Sequence, residues 1–122
     1  MASLDQQRAG DLTQKGMDLL AEGHAADAVH TFREAIAVDA NHHDAHHGLV
    51  RALRDAGQLE QSVAAALALT ALTPTDPLAH AALSISLQHA GHVPEAEAAA
   101  GRARILEWKI QLQSPNDQEP SL

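Results

Sequence analysis

Cysteine and tyrosine are absent from this 122-residue chain, and phenylalanine and tryptophan occur once each, as Phe32 and Trp108. Without cysteine there is no disulfide framework, no thiolate metal site and no thiol nucleophile. With so few aromatics, and with glycine and proline confined to a few punctuation points, the Ala- and Leu-rich composition favours helix over sheet. An all-α protein is expected. Basic residues are scarce too: eight Lys and Arg stand against sixteen Asp and Glu, for a net charge of −8. Such a surface repels a nucleic-acid backbone or an anionic membrane, so neither is expected as a partner. The first residues, "MASLDQQRAGDLTQKG", lack an apolar run. Neither a secretion signal nor a membrane span is therefore expected, and the expected location is cytoplasmic. What remains is length enough for one domain with a real core, and nine histidines. Protonating all nine would move the charge from −8 to +1, so the surface charge responds to mild acid.

The chain repeats. Gly23, Gly57 and Gly91 are 34 residues apart, and the same offset superposes Leu19, Leu53 and Leu87. It also superposes Ala28, Ser62 and Ala96, then Phe32, Ala66 and Ala100, then Ala35, Leu69 and Ala103. A helical run precedes each of the three glycines and another follows it, which predicts αα-hairpins over 4–22 with 25–39, 43–56 with 59–72, and 77–90 with 94–112. Glycine suits the left-handed turn that ends a first helix. Pro74 and Pro77 fall between hairpins, and Pro94 falls in the first turn of its helix, where a missing N–H costs nothing.

On these columns the chain resembles three tetratricopeptide repeats, at about 9–42, 43–76 and 77–112, within a domain of residues 1–112. The family's small residue of the first helix matches Gly16, with Val50 and Ser84 departing. Its large residue matches Leu19, Leu53 and Leu87. The small residue of the second helix matches Ala28 and Ala96, with Ser62 still small; the aromatic matches Phe32 alone. The second alanine matches Ala35 and Ala103, with Leu69 larger, and the closing proline matches Pro74, with Ala40 and Trp108 departing. The resemblance implies a right-handed α-solenoid whose first helices line a concave face that holds peptides or helical segments of other proteins. A hairpin of this size cannot bury its apolar face alone, so stacking makes the core.

The resemblance also assigns groove positions. They are Gly10, Thr13, Met17, Leu20 and Ala21 in repeat one, Asp44, His47, Arg51, Arg54 and Asp55 in repeat two, and Leu78, Ala81, Ile85, Gln88 and His89 in repeat three. The middle is ionic and the ends apolar, which suits an amphipathic helix carrying a carboxylate for Arg51 or Arg54. The competing reading makes Asp44, Arg51, Arg54 and Asp55 solvated pairs on one helix. Family members that grip the acidic tail of heat-shock proteins use a clamp of Lys, Asn and Arg. Those places are filled here by Thr13, Met17, Gly48, Leu78 and Ala82, which disfavours such a ligand.

His42, His43, His46 and His47 are candidate metal ligands, because histidines four apart on a helix can chelate one transition metal. At 100° per residue the four span an arc of about 140°. The repeat places His46 over Leu12 and His80, which points to packing, and no further histidine set completes a tetrahedral site. The expectation is no cofactor, with a metal- or proton-sensing protein as the alternative reading. At the other end, "PEAEAAAGRARILEWKIQLQ" continues past the place where earlier units stop. Leu106, Trp108 and Ile110 are candidate contacts for self-association or for covering the exposed edge. Residues 113–122, "QSPNDQEPSL", read as a flexible polar tail. Ser84 and His80 lie one turn apart, but no catalytic constellation or phosphate loop emerges, and no enzyme is expected. The function expected is that of an adaptor, scaffold or small chaperone, similar in size to the tetratricopeptide chaperones of bacterial secretion.

Overall fold

The computed structural model describes residues 3–113, so the tail expected over 113–122 lies outside the described residues except for Gln113, which is the last residue of a helix. Those residues form six α-helices: α1 (Leu4–Ala21), α2 (Ala25–Val38), α3 (His43–Asp55), α4 (Leu59–Leu72), α5 (Pro77–His89) and α6 (Val93–Gln113). Their limits fall within a residue of those read from the period. The first helix opens on a capping box in which Ser3 Oγ accepts the Gln6 N–H at 3.1 Å and Gln6 Oε1 accepts the Ser3 N–H at 2.9 Å. Helix α5 opens on Asp76, whose carboxylate accepts the Leu78 N–H at 3.0 Å, with Pro77 following where its ring fits.

Each hairpin turns in the same way. Gly23, Gly57 and Gly91 have φ of 83°, 78° and 86°, a region that side chains rarely enter. The Gly23 N–H donates to Leu20 O and the His24 N–H to Leu19 O, and the pattern recurs at Gly57 and Gln58 and at Gly91 and His92. This is the paired closure that satisfies the last carbonyls of a helix. Successive helices pack against one another along the chain; α1 also touches α3 and α3 touches α5, whereas α2, α4 and α6 do not touch each other. The first helices therefore line the inside of the curve.

Packing between repeats depends on matched volumes. Phe32 is fully buried, and its ring lies where α1 and α3 both carry glycine: a Cβ added at Gly16 would come within 2.7 Å of it, and one at Gly48 within 2.3 Å. One repeat later Ala66 replaces the ring, and Val50 and Ala82 replace the glycines, all in one cluster with Leu69, Ala79 and Leu83. The departures from the family pattern at Val50 and Ala66 thus compensate each other. Close helix approach at the small columns also lets hydroxyls reach across the second and third hairpins and between them. Ser62 Oγ donates to Val50 O at 3.0 Å and so accepts from Ser86 Oγ at 2.7 Å, while Ser84 Oγ donates to Ala96 O at 2.8 Å. No buried side-chain N or O among the described residues lacks a partner, which removes the main cost of burying them.

The last described helix carries charge at its stacking positions. At the face of α2 and α4 that meets the following hairpin lie the buried Val29 and Val63; the corresponding position of α6 is the exposed Glu97. Ile36 and Thr70 are likewise followed, at the same offset, by the exposed Arg104. Among the described residues, α6 thus carries charge at the positions where α2 and α4 stack on the following hairpin.

Candidate binding groove

The inner helices enclose an open cleft of about 620 Å³. Four columns of the repeat line it at all three levels: Gly10, Asp44 and Leu78; Thr13, His47 and Ala81; Gln14, Gly48 and Ala82; Met17, Arg51 and Ile85. His42, Val50 and Arg54 complete the wall. Helical spacing explains the set, since these columns lie within one inward arc of each first helix. Exposed Met17 at one end, and Leu78 and Ile85 at the other, flank a polar middle on α3. All five places where a heat-shock-tail clamp would stand lie in this cleft and carry no amide, ammonium or guanidinium.

The two arginines differ. Arg51 Nε is 3.7 Å from Asp55 Oδ2 one turn on, with both side chains well exposed, so that pair is weak and solvent-screened. Arg54 is half-buried against the cleft and has no carboxylate within ion-pair distance among the described residues. Its guanidinium is the cation in the cleft open to a forked bond with an incoming carboxylate.

Several expected groove residues lie elsewhere. Leu20 is half-buried against the cluster of Ala28, Val29, Phe32, Ala52 and Leu53, whereas Arg54, at the same column one repeat later, lines the cleft. Asp55 is held beside Arg51 and does not line the cleft. Gln88 and His89 lie in the last turn of α5, beyond the cleft, and the His89 ring Nδ1 is 2.9 Å from Ile85 O. Ala21 occupies the same outlying column in α1. Conversely, Gln14, Val50 and His42 line the cleft outside the expected groove positions, and Gly48 and Ala82, expected only as clamp places, line it as well. Gln14, Gly48 and Ala82 form a 34-residue column of their own, so the period held the signal.

The histidines divide by role. His46 Nε2 lies 2.7 Å from Ala40 O, and at the same offset His80 Nε2 lies 2.8 Å from Pro74 O. Each ring is half-buried, donates to a carbonyl six residues earlier and ties its helix start to the turn between hairpins. His42 and His47 face the cleft, and His43 is exposed. Among the described residues no three His, Asp or Glu side chains converge to hold a metal ion. Titration of tag-free protein with zinc is accordingly expected to show weak, non-stoichiometric binding. Sub-micromolar one-to-one binding that disappears in His43→Ala/His47→Ala would restore the metal reading. The Ser84 hydroxyl and the His80 ring are also engaged separately, with Ala96 O and Pro74 O, and do not form a nucleophile–base pair.

At the C-terminal edge, Leu106 is only 4% exposed and belongs to the buried stripe of Ala96, Ala99 and Ala103; it packs within its own hairpin and offers no edge contact. Ile110 and Trp108, at 47% and 65% exposure, are open, so Trp108 does not cover its own last hairpin. Among the described residues no helix is long and apolar enough to cross a membrane.

Comparison with known proteins bears on this geometry. Solved structures with the same fold include the second tetratricopeptide repeat domain of Spaghetti bound to an HSP90 peptide (18% identity, TM-score 0.76, covering 83% of this chain and 94% of that one). The Yersinia enterocolitica type III secretion translocator chaperone SycD also matches (17%, 0.76, 88% of each chain), as does MamA (20%, 0.77), of which this chain spans 62%. No curated protein matches the sequence. A tetratricopeptide repeat family model matches residues 19–85. Together with the turns, the small columns and the inner layer of first helices, that match places this chain in the tetratricopeptide repeat family.

Proposed function

We propose that the chain is a non-catalytic protein-interaction module whose cleft holds an amphipathic helical segment of another protein. The observation that carries this reading is the half-buried Arg54, free of a carboxylate partner among the described residues, between the apolar groups Met17 and Leu78 with Ile85. A helix about 10–12 Å across would lay its apolar face on both ends and present Asp or Glu to Arg54. Family membership supports the class of function, and the similarity to SycD supports an adaptor or chaperone-like role over an enzymatic one. The clamp places speak for a different ligand from the HSP90 peptide bound by the Spaghetti domain, because no side chain at them can grip a terminal carboxylate. Selection of a phage-displayed 16-residue peptide library on the purified chain is the test. Enriched peptides are expected to share apolar residues on one helical face with an acidic residue between them; enrichment of basic or purely polar peptides would sink the reading.

A further inference from the structure

Helix α6 is apolar on two opposite sides. One stripe, Ala96, Ala99, Ala103 and Leu106, is buried against the rest of the hairpin. The other runs Pro94, Ala98, Gly101, Ile105, Trp108 and Leu112, with intervals of four, three, four, three and four residues. That alternation keeps a stripe facing a single neighbouring helix. Ile105, Trp108 and Leu112 on it are 47%, 65% and 62% exposed, and no helix of the described chain covers them.

The residues bordering this stripe identify what covers it. On one border stand Glu97 and Arg104, on the other Glu95, Arg102 and Lys109, so the first half of the seam is acidic and the second half basic. Glu107 lies on the opposite side of the helix. A second α6 running in the same direction would set acid against acid and base against base. Running the opposite way, it sets each acidic half beside a basic half. When Ile105 of one copy rests on Ala98 of the other and Trp108 on Pro94, Glu95 comes opposite Lys109 and Glu97 opposite Arg104. Large residues then meet small ones along the seam. Arg102 alone meets its own copy, at the centre, where its long side chain can turn to solvent.

We infer that the outward face of α6 is a self-association surface that joins two copies of this chain through antiparallel α6 helices, on the side of the solenoid away from the cleft. One helix pair buries less than the 1,200–2,000 Å² or so of a standard stable interface, so the dimer is weak and concentration-dependent.

Sedimentation equilibrium of the full chain over a range of micromolar concentrations is expected to show mass rising from one chain to two, weakening as salt is raised. Trp108, the only tryptophan, should shift its emission to shorter wavelength over the same range. Trp108→Glu, and separately Glu95→Lys/Glu97→Lys, should remove self-association with helicity unchanged, whereas Arg54→Glu in the cleft should leave it intact. Because the chain has no cysteine, direction can be read by crosslinking. Ala98→Cys mixed with Ile105→Cys should form the mixed disulfide, and Ala98→Cys alone should not link to itself. A monomer at every concentration, a dimer indifferent to the α6 changes, or efficient self-linking of Ala98→Cys would each overturn the proposal.

Discussion

Phe32→Ala is expected to destabilise the chain by about 3–5 kcal/mol, the range for emptying a buried aromatic site. The ring is the largest fully buried side chain and joins α1, α2 and α3 at one point. Its two glycine neighbours cannot close the space. The same geometry makes the sign of a second change depend on the first. With Phe32 present, Gly48→Ala drives a methyl to within 2.3 Å of a ring that is held on all sides, and should cost on the order of 1–3 kcal/mol as an overpacked site. With Phe32 replaced by Ala, the same methyl enters the vacated space and replaces a helical glycine by the best helix former, a gain of roughly 1 kcal/mol. Urea unfolding of the four proteins, followed by far-UV circular dichroism, measures this cycle. Equal destabilisation by Gly48→Ala in both backgrounds would show that the ring and the glycine do not share a site.

This junction marks the boundary of what the sequence discloses. Helix limits and turns were legible because each depends on a local rule: glycine at a left-handed turn, proline at a helix start, apolar residues at helical spacing. Volume exchange is a three-body matter. Gly48 lies outside the family's small column, and its value becomes visible only when α3 is folded onto the ring of α2. Val50 and Ala66 looked like two separate departures until the fold put them in one cluster. The cleft shows the same division. The columns through Gly10, Thr13 and Met17 follow from helical phase, and so does the one through Gln14. Of the columns through Leu20 and Ala21 only Arg54 reaches the cleft, since Leu20 turns toward the core and the last turns of α1 and α5 lie past it. For His46 and His80 the repeat located the residues, but the bond of each ring to a turn carbonyl became visible only in the fold.

Arg54→Glu is expected to weaken the tightest peptide from the display selection by about 10- to 100-fold, as loss of a charge-assisted bond worth about 1.5–3 kcal/mol implies. Arg51→Glu should weaken it less, because Asp55 already competes for that guanidinium and solvent reaches both groups. The difference supplies an internal control, since the two changes alter net charge identically. Long-range attraction therefore cancels in the comparison, and contact at Arg54 remains. Arg54→Lys should recover part of the affinity, having charge without the planar fork. Asp55→Ala, by releasing Arg51, should tighten binding modestly. Fluorescence anisotropy of the labelled peptide against each variant gives the four constants. An equal loss for Arg51→Glu and Arg54→Glu would mean that the peptide senses only the overall charge of α3, and the carboxylate would then have no fixed seat in the cleft.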